Sequence, residues 1–301
     1  MTTRFTARDD LLHDVSASGP HARESLALTA PLPDEQLLVF AYLWRERGER
    51  WGRFLFVGGP DMHKPLFVSF DDQAAFSGGD LDDCVIGGVR LRQPEPLRVA
   101  ELDFAHGDLE LSLRLEGVHE PFSWHDNRGG CPSWVADDRY EQSCRTRGTL
   151  TVGTRRVKIA GGGHRDHSWG SRNWAMLQHW KWMNAIAADD LSLHAMIMHA
   201  KGELLVNGYL NRDGVVSPIV TAEAAADLDD QMIHRALTAR FTDEAGRHAA
   251  LECTYAAGWQ MPIGHLVLNE VGMAATLDGR PAVAHIEFGW PADYVRALTG
   301  E

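Results

Sequence analysis

The chain has 301 residues, 44% of them hydrophobic and 24% charged, with 29 basic and 42 acidic residues for a formal charge of -13. Such a chain suits two ordinary domains or one large β domain of a soluble protein. Its acidity, without a basic patch interleaved with aromatics, argues against a nucleic-acid partner.

In chain order, Met1–Ser18 is polar and lacks an apolar h-region, so no secretory signal is read there. Strand-like alternation appears at Leu97–Phe104 and Leu109–Leu115 around an Ala105–Asp108 turn. Thr146–Val152 and Arg156–Ala160 flank Gly153-Thr154, and Trp180–Ala187 and Leu191–His199 flank Ala188–Asp190. Leu204–Leu210 ends at Asn211–Gly214. Ala236–Thr242 and His248–Tyr255 flank Asp243–Gly246, and Gly272–Leu277 and Ala282–Phe288 flank Asp278–Arg280. Each turn carries Gly, Asp or Asn, which tolerate positive φ or close Asx turns. Two short helices are predicted, at Thr221–Asp227 and at Pro291–Leu298, the second with Pro at its first position and Gly300 past its end.

This is an all-β up-and-down meander without long helical crossovers, of the kind that closes into barrels or stacks as sandwiches. Fifteen or more strands, by a rough count against one small barrel, point to two β domains, residues 1–174 and 175–301. No run approaches the length of a membrane-spanning helix. The four cysteines form no CxxC pair and read as free thiols in a reducing, cytoplasmic compartment.

The densest chemistry lies in Gly161–Trp174. There a glycine triplet, read as a turn, leads into His164, Arg165, Asp166 and His167, and Trp169 and Trp174 follow. Burial against indole walls raises the pKa of Asp166, whereas a guanidinium lowers it. The first outcome makes a general acid, the second a structural anion or a base. A hairpin about Gly153-Thr154 brings Tyr140–Gln142 opposite His164–Asp166, so Tyr140, Glu141, Asp166 and two histidines share one end of it. Trp180 and Trp182 alternate onto one strand face and, with Trp169 and Trp174, form a candidate wall for an apolar or cationic ligand. Trp124 and Trp134, on the segment near Gly129-Gly130, form a candidate lid, and His194 belongs to the hairpin that follows the motif. Neither HxxxH nor HExxH occurs, and GxSxG, P-loop and dinucleotide fingerprints are absent. No metal or cofactor is therefore expected.

The stretch Gly163-His164-Arg165-Asp166-His167-Ser168-Trp169-Gly170 resembles the Gly-x-x-Asp-His-x-Trp-Gly signature of the carotenoid 1,2-hydratase (hydroxyneurosporene synthase) superfamily, and Tyr140-Glu141-Gln142 resembles its bacterial branch. The resemblance implies two tandem lipocalin-like β domains with a pocket near their junction. It also implies that Asp166 is the acid that protonates an alkene. Where the carotenoid enzymes carry Tyr two residues before this Asp, the chain has His164.

On this reading Asp166 donates the proton, His167 and Arg165 set its pKa, and Tyr140, Glu141 and His164 complete the catalytic group. Trp169, Trp174, Trp180, Trp182, Trp124 and His194 bind the substrate. The expected reaction is cofactor-free hydration, isomerisation or cyclisation of an isoprenoid- or polyketide-like alkene. A non-catalytic binder of a hydrophobic small molecule and a pericyclase without proton transfer are the alternatives. The expected partners are that small molecule and, at most, a second copy of the chain in a homodimer.

Overall fold

The computed structural model describes residues 4–300. Met1–Thr3 and Glu301, the outer ends of the two expected domains, lie outside the described residues.

The first twelve strands are β1 (Ala22–Leu32), β2 (Leu37–Glu46), β3 (Arg50–Gly58), β4 (Phe67–Asp71), β5 (Phe76–Gly78), β6 (Asp83–Ile86), β7 (Val89–Glu95), β8 (Val99–His106), β9 (Leu109–Gly117), β10 (Phe122–Ser123), β11 (Asp138–Val152) and β12 (Arg155–Ser171). They form one antiparallel sheet in the order β4-β3-β2-β1-β12-β11-β9-β8-β7-β6-β5, with β10 beside β11. The sheet is therefore two meanders joined where β1 pairs with β12, rather than one serial meander. It curls around an apolar interior that includes Leu28, Leu43, Leu55, Leu102, Leu113 and Ile159.

The second unit is a closed barrel of β13 (Leu177–Ala188), β14 (Leu191–Ala200), β15 (Glu203–Arg212), β16 (Val215–Leu228), β17 (His234–Asp243), β18 (His248–Ile263), β19 (Leu266–Leu277) and β20 (Arg280–Pro291). It is strictly serial, so each short turn closes a hairpin. Asp278 and Gly279 both adopt positive φ, as a two-residue hairpin loop requires. Met183, Leu193, Leu251, Val271, Ile286 and Phe288 pack inside the barrel. A terminal helix, α1 (Ala292–Thr299), follows, with Pro291 as its N-cap and Gly300 in the left-handed conformation at its end. None of the described helices is long and apolar enough to cross a membrane.

Three expectations are corrected. Thr221–Asp227 is not a helix but part of β16, paired throughout with β17. Ala222, Ala224 and Ala226 turn onto the barrel core, so the alternation of strand pairing overrides the helical preference of alanine. The glycine triplet is not a turn, because it lies inside the seventeen-residue β12. Two of its glycines, Gly162 and Gly163, are there for close approach. A Cβ on Gly162 would stand 1.8 Å from Ile186 Cγ2 of the barrel, and one on Gly163 would stand 2.3 Å from the Thr29 carbonyl oxygen. Finally, the hairpin register is one residue further on than expected: Tyr140 faces His167, Glu141 faces Asp166 and Gln142 faces Arg165.

Gly162→Val should wedge the barrel off the sheet and cost about 2 kcal/mol. Gly161→Ala, where a Cβ meets nothing within 4 Å, should stay within about 0.5 kcal/mol of the parent. Thermal and denaturant unfolding of the two variants checks the contrast.

Candidate active site

Side chains on β11 and β12 alternate between the two faces of the sheet, and this divides the expected catalytic group. Arg139, Glu141, His164 and Asp166 face the barrel. Tyr140, Arg165, His167 and Trp169 face the curled interior.

On the barrel side, Arg139 is the hub. Its Nε donates to Glu141 Oε1 at 2.7 Å and its Nη2 to Asp166 Oδ2 at 2.6 Å. The guanidinium also lies over the Trp124 ring at 4.7 Å. His164 Nε2 lies 2.8 Å from Glu141 Oε2, His194 Nε2 lies 3.3 Å from Oε1, and the Trp182 indole N–H donates to the same oxygen at 3.4 Å. Glu141 is completely buried. Burial alone would raise its pKa, but Arg139, His194 and His164 outweigh that and hold it below the usual carboxylate range. Asp166 behaves oppositely. Burial, aided by the neighbouring charge of Glu141, pushes it up to about 6 against the pull of Arg139 and Arg172. Two cross-strand carboxyls are thus driven apart, one fixed as an anion and one able to hold a proton. Among the described residues no donor hydrogen-bonds Asp166 Oδ1.

On the interior side, Arg165 reaches Gln142 Oε1 at 2.7 Å, Gln93 Oε1 at 3.2 Å and Asp10 Oδ2 at 3.5 Å, and the Tyr140 hydroxyl donates to Asp10 Oδ1. His167 Nε2 lies 3.1 Å from Glu24 Oε1, which also takes His13 Nδ1 at 2.9 Å. Trp169 stacks on His13 with ring centroids 3.7 Å apart. These residues fasten the segment carrying Asp10 and His13 to the sheet. Arg165 and His167 therefore do not govern Asp166, whose electrostatic neighbours are Arg139, Glu141, Arg172 and His164.

Two trios bring their ligand atoms within 4.8 Å of one another as a metal site would: His13, Glu24 and His167, and Glu141, His164 and His194. In each, a guanidinium already holds the carboxylate, Arg45 on Glu24 at 3.0 Å and Arg139 on Glu141 at 2.7 Å. A resident cation would sit against that positive charge, so both fit hydrogen-bonded ion-pair clusters better than metal centres. The four cysteines are free thiols. Burial pushes Cys84, Cys131, Cys144 and Cys253 up to about 12, which leaves them poor nucleophiles.

Asp166 opens onto a cavity of about 690 Å³ between the sheet and the outer surface of the barrel. The sheet wall includes Ala27, Phe40, Tyr42, Trp44 and Phe54 beside Asp166, Arg139 and Arg172. The barrel wall carries Trp180, Trp182, Trp259, Leu268, Glu270 and Glu287. Of the expected binding residues, Trp174, Trp180 and Trp182 line this space. Trp124 packs beneath Arg139, His194 stacks on His164 with centroids 5.1 Å apart, and Trp169 lies on the other face of the sheet. Trp134 borders a small neighbouring crevice with Trp174 and Arg172.

Sequence reasoning picked out Arg139 beside Tyr140-Glu141-Gln142 but gave it no role, and it missed Arg172, Trp259 and the acids Glu270 and Glu287. A signal for the acids was present, since a hairpin about Asp278-Gly279 pairs Glu270 directly with Glu287.

With the geometry known, relatives can be compared. Residues 6–292 match the model of a family described as a domain of unknown function, DUF7064. The chain belongs to that family. No curated protein matches it. Among solved structures, an AttH-like protein (NE1406) of Nitrosomonas europaea is 15% identical with a TM-score of 0.60, covering 92% of this chain and 96% of its own. Kievitone hydratase of Nectria haematococca is 10% identical with a TM-score of 0.61, covering 94% and 93%. CghA, crystallised with Sch210972, is 12% identical with a TM-score of 0.62, covering 91% and 89%. At these identities the likeness is one of fold alone.

The raised pKa of Asp166 has a measurable sign. Between its ordinary value of 3.8 and about 6, this group binds more proton in the folded than in the unfolded chain. Its contribution to stability is therefore complete below about 3.8 and is lost as pH rises through about 6. Asp166→Asn has no such loss, so its stability relative to the parent should climb across that window and level off above it. Denaturant titrations at pH 4, 5, 6 and 7, an interval of roughly one unit each, test this.

Proposed function

We propose that this protein is a cofactor-independent enzyme that protonates a hydrophobic alkene of isoprenoid or polyketide type, with Asp166 as the donor. The observation that carries the reading is a neutral-capable carboxyl, raised to about 6, on the wall of a 690 Å³ aromatic cavity beside a second carboxyl held ionised.

The Asp166 O–H bond breaks as its proton forms a C–H bond with one alkene carbon, using the π electrons. The carboxylate left behind is stabilised by Arg139, already 2.6 Å from Oδ2. Positive charge develops on the adjacent carbon, where the indole faces of Trp180 and Trp182 lower its energy. Addition of water followed by loss of a proton gives an alcohol, loss of a proton from a neighbouring carbon gives an isomer, and attack by a second alkene gives a cyclic cation that ends in the same two ways; in each case the released proton returns to the Asp166 carboxylate or passes to solvent. A fold neighbour named as a hydratase is in keeping with chemistry of this kind. Glu141 and His164 act through Arg139. Tyr140, Arg165 and His167 act through the fold.

A panel of terpenoid and polyene alkenes incubated in deuterated water should yield a product carrying solvent deuterium. Asp166→Asn should reduce its formation by about 10²–10⁴-fold. Undiminished turnover by the variant would sink the mechanism. A product without solvent deuterium would favour the pericyclase, and ligand retained unchanged by both proteins would favour the binder.

A further inference from the structure

Glu270 and Glu287 are the acids that the mechanism above leaves unused. They are direct cross-strand partners on β19 and β20, and both line the barrel wall of the cavity. Glu270 is 1% exposed, and Glu287 is partly exposed. The Trp180 indole N–H donates to Glu287 Oε1, and His285 Nε2 lies 2.8 Å from Glu270 Oε2. Among the described residues no Lys or Arg ion-pairs with either acid. That is the decisive difference from Asp166 and Glu141, which share Arg139.

Two adjacent carboxylates on a wall of Trp180, Trp182 and Leu268, without a cation, cannot both ionise. The buried His285 supplies no counter-charge, because burial pulls it down to about 4. Burial pushes Glu270 up to about 7 against a hydrogen bond shared with Glu287, and burial together with the charge and hydrogen bond of Glu270 pushes Glu287 well above the carboxylate range. The two titrate as a unit and hold at least one proton at neutral pH. Such a pair adds little to stability, because well-packed apolar residues do as well or better in its place. A neutral carboxylic acid in an apolar pocket is, however, an effective hydrogen-bond donor to a ligand oxygen.

We infer that Glu270 and Glu287 form an oxygen-binding subsite on the wall opposite Asp166, which recognises a hydroxyl or carbonyl group of the ligand. The substrate class narrows accordingly, from hydrophobic alkenes in general to unsaturated alcohols or ketones. The inference rests on the cavity being the ligand site proposed above, but not on proton transfer from Asp166.

Equilibrium binding separates the two. Farnesol, farnesene and farnesylamine share a chain and differ in their terminal group. Their affinities are measured at pH 6 by tryptophan-fluorescence quenching. The parent protein should bind farnesol about tenfold more tightly than farnesene, as one satisfied hydrogen bond allows. Glu287→Gln, which can still donate, should keep that preference. Glu287→Leu should abolish it while still binding farnesene at least as tightly as the parent does, which also shows that the cavity is intact. Should Glu287→Leu fail to fold, the infrared spectrum remains informative: a protonated-carboxyl C=O band at neutral pH in the parent should weaken in Glu287→Gln and weaken further when Glu270→Gln is added. Equal affinity for farnesol and farnesene in the parent, tightest binding of farnesylamine, an undiminished preference in Glu287→Leu, or absence of the infrared band would each overturn the subsite. Preference for farnesol without any deuterium incorporation would refute the catalytic reading and leave the subsite standing.

Discussion

The Arg139 guanidinium, buried between the sheet and the barrel, is the interaction on which the site depends. One arm holds Glu141 and the other holds Asp166. Charges taken out of water at this cost persist only when each has its partner. Glu141 has several, and its negative charge is fixed. Asp166 has Arg139 on one oxygen, with Arg172 acting on it electrostatically, and a hydrophobic cavity on its other side. The same cation therefore makes one carboxyl an anion and leaves its neighbour free to exchange a proton. Removing Arg139 would strand both, so the stability of the seam and the proposed chemistry rest on the same two contacts.

The two faces of the β11–β12 hairpin are chemically dense for different reasons. On the interior face, Arg165, His167 and Tyr140 bind Asp10 and Glu24 and secure the chain's early segment. On the outer face, His164 and Asp166 meet the barrel. A motif of consecutive polar residues is thus two interleaved sets, one facing the curled interior and one facing the barrel and the cavity. The interior of the barrel is packed with apolar residues such as Met183, Leu193 and Ile286, and it is the outer wall that lines the cavity.

Much of this was legible in the sequence because it rests on local rules. The period-two alternation, the Gly- and Asp-bearing turns and the capped terminal helix each depend on neighbours a few residues away. Asp166, Trp174, Trp180 and Trp182 stood out because ionisable groups and indoles crowd one stretch. The misreadings were non-local. Gly162 looked like a turn residue because the side chain it accommodates, Ile186, comes from another sheet. Ala222, Ala224 and Ala226 looked helical because their pairing strand was not in view. Arg165 and His167 were assigned to Asp166 because they adjoin it in sequence, although alternation sends them to the opposite face. Glu270 and Glu287 were passed over because neither sits in a motif. Only the distant packing of β19 and β20 against the sheet brings them to the cavity.

The seam between sheet and barrel is bare backbone at its closest points. Gly162 lies against Ile186, and Gly58 lies so near Gly258 that a Cβ would come within 2.7 Å of its carbonyl oxygen. These residues touch no ligand, yet they are the spacers that set the distance between the two walls of the cavity. The thickness of molecule that fits between Asp166 and Glu287 is therefore gauged by missing side chains. A methyl group added at either spacer would prise the walls apart and retune which ligands bridge them, without altering a single residue that lines the space.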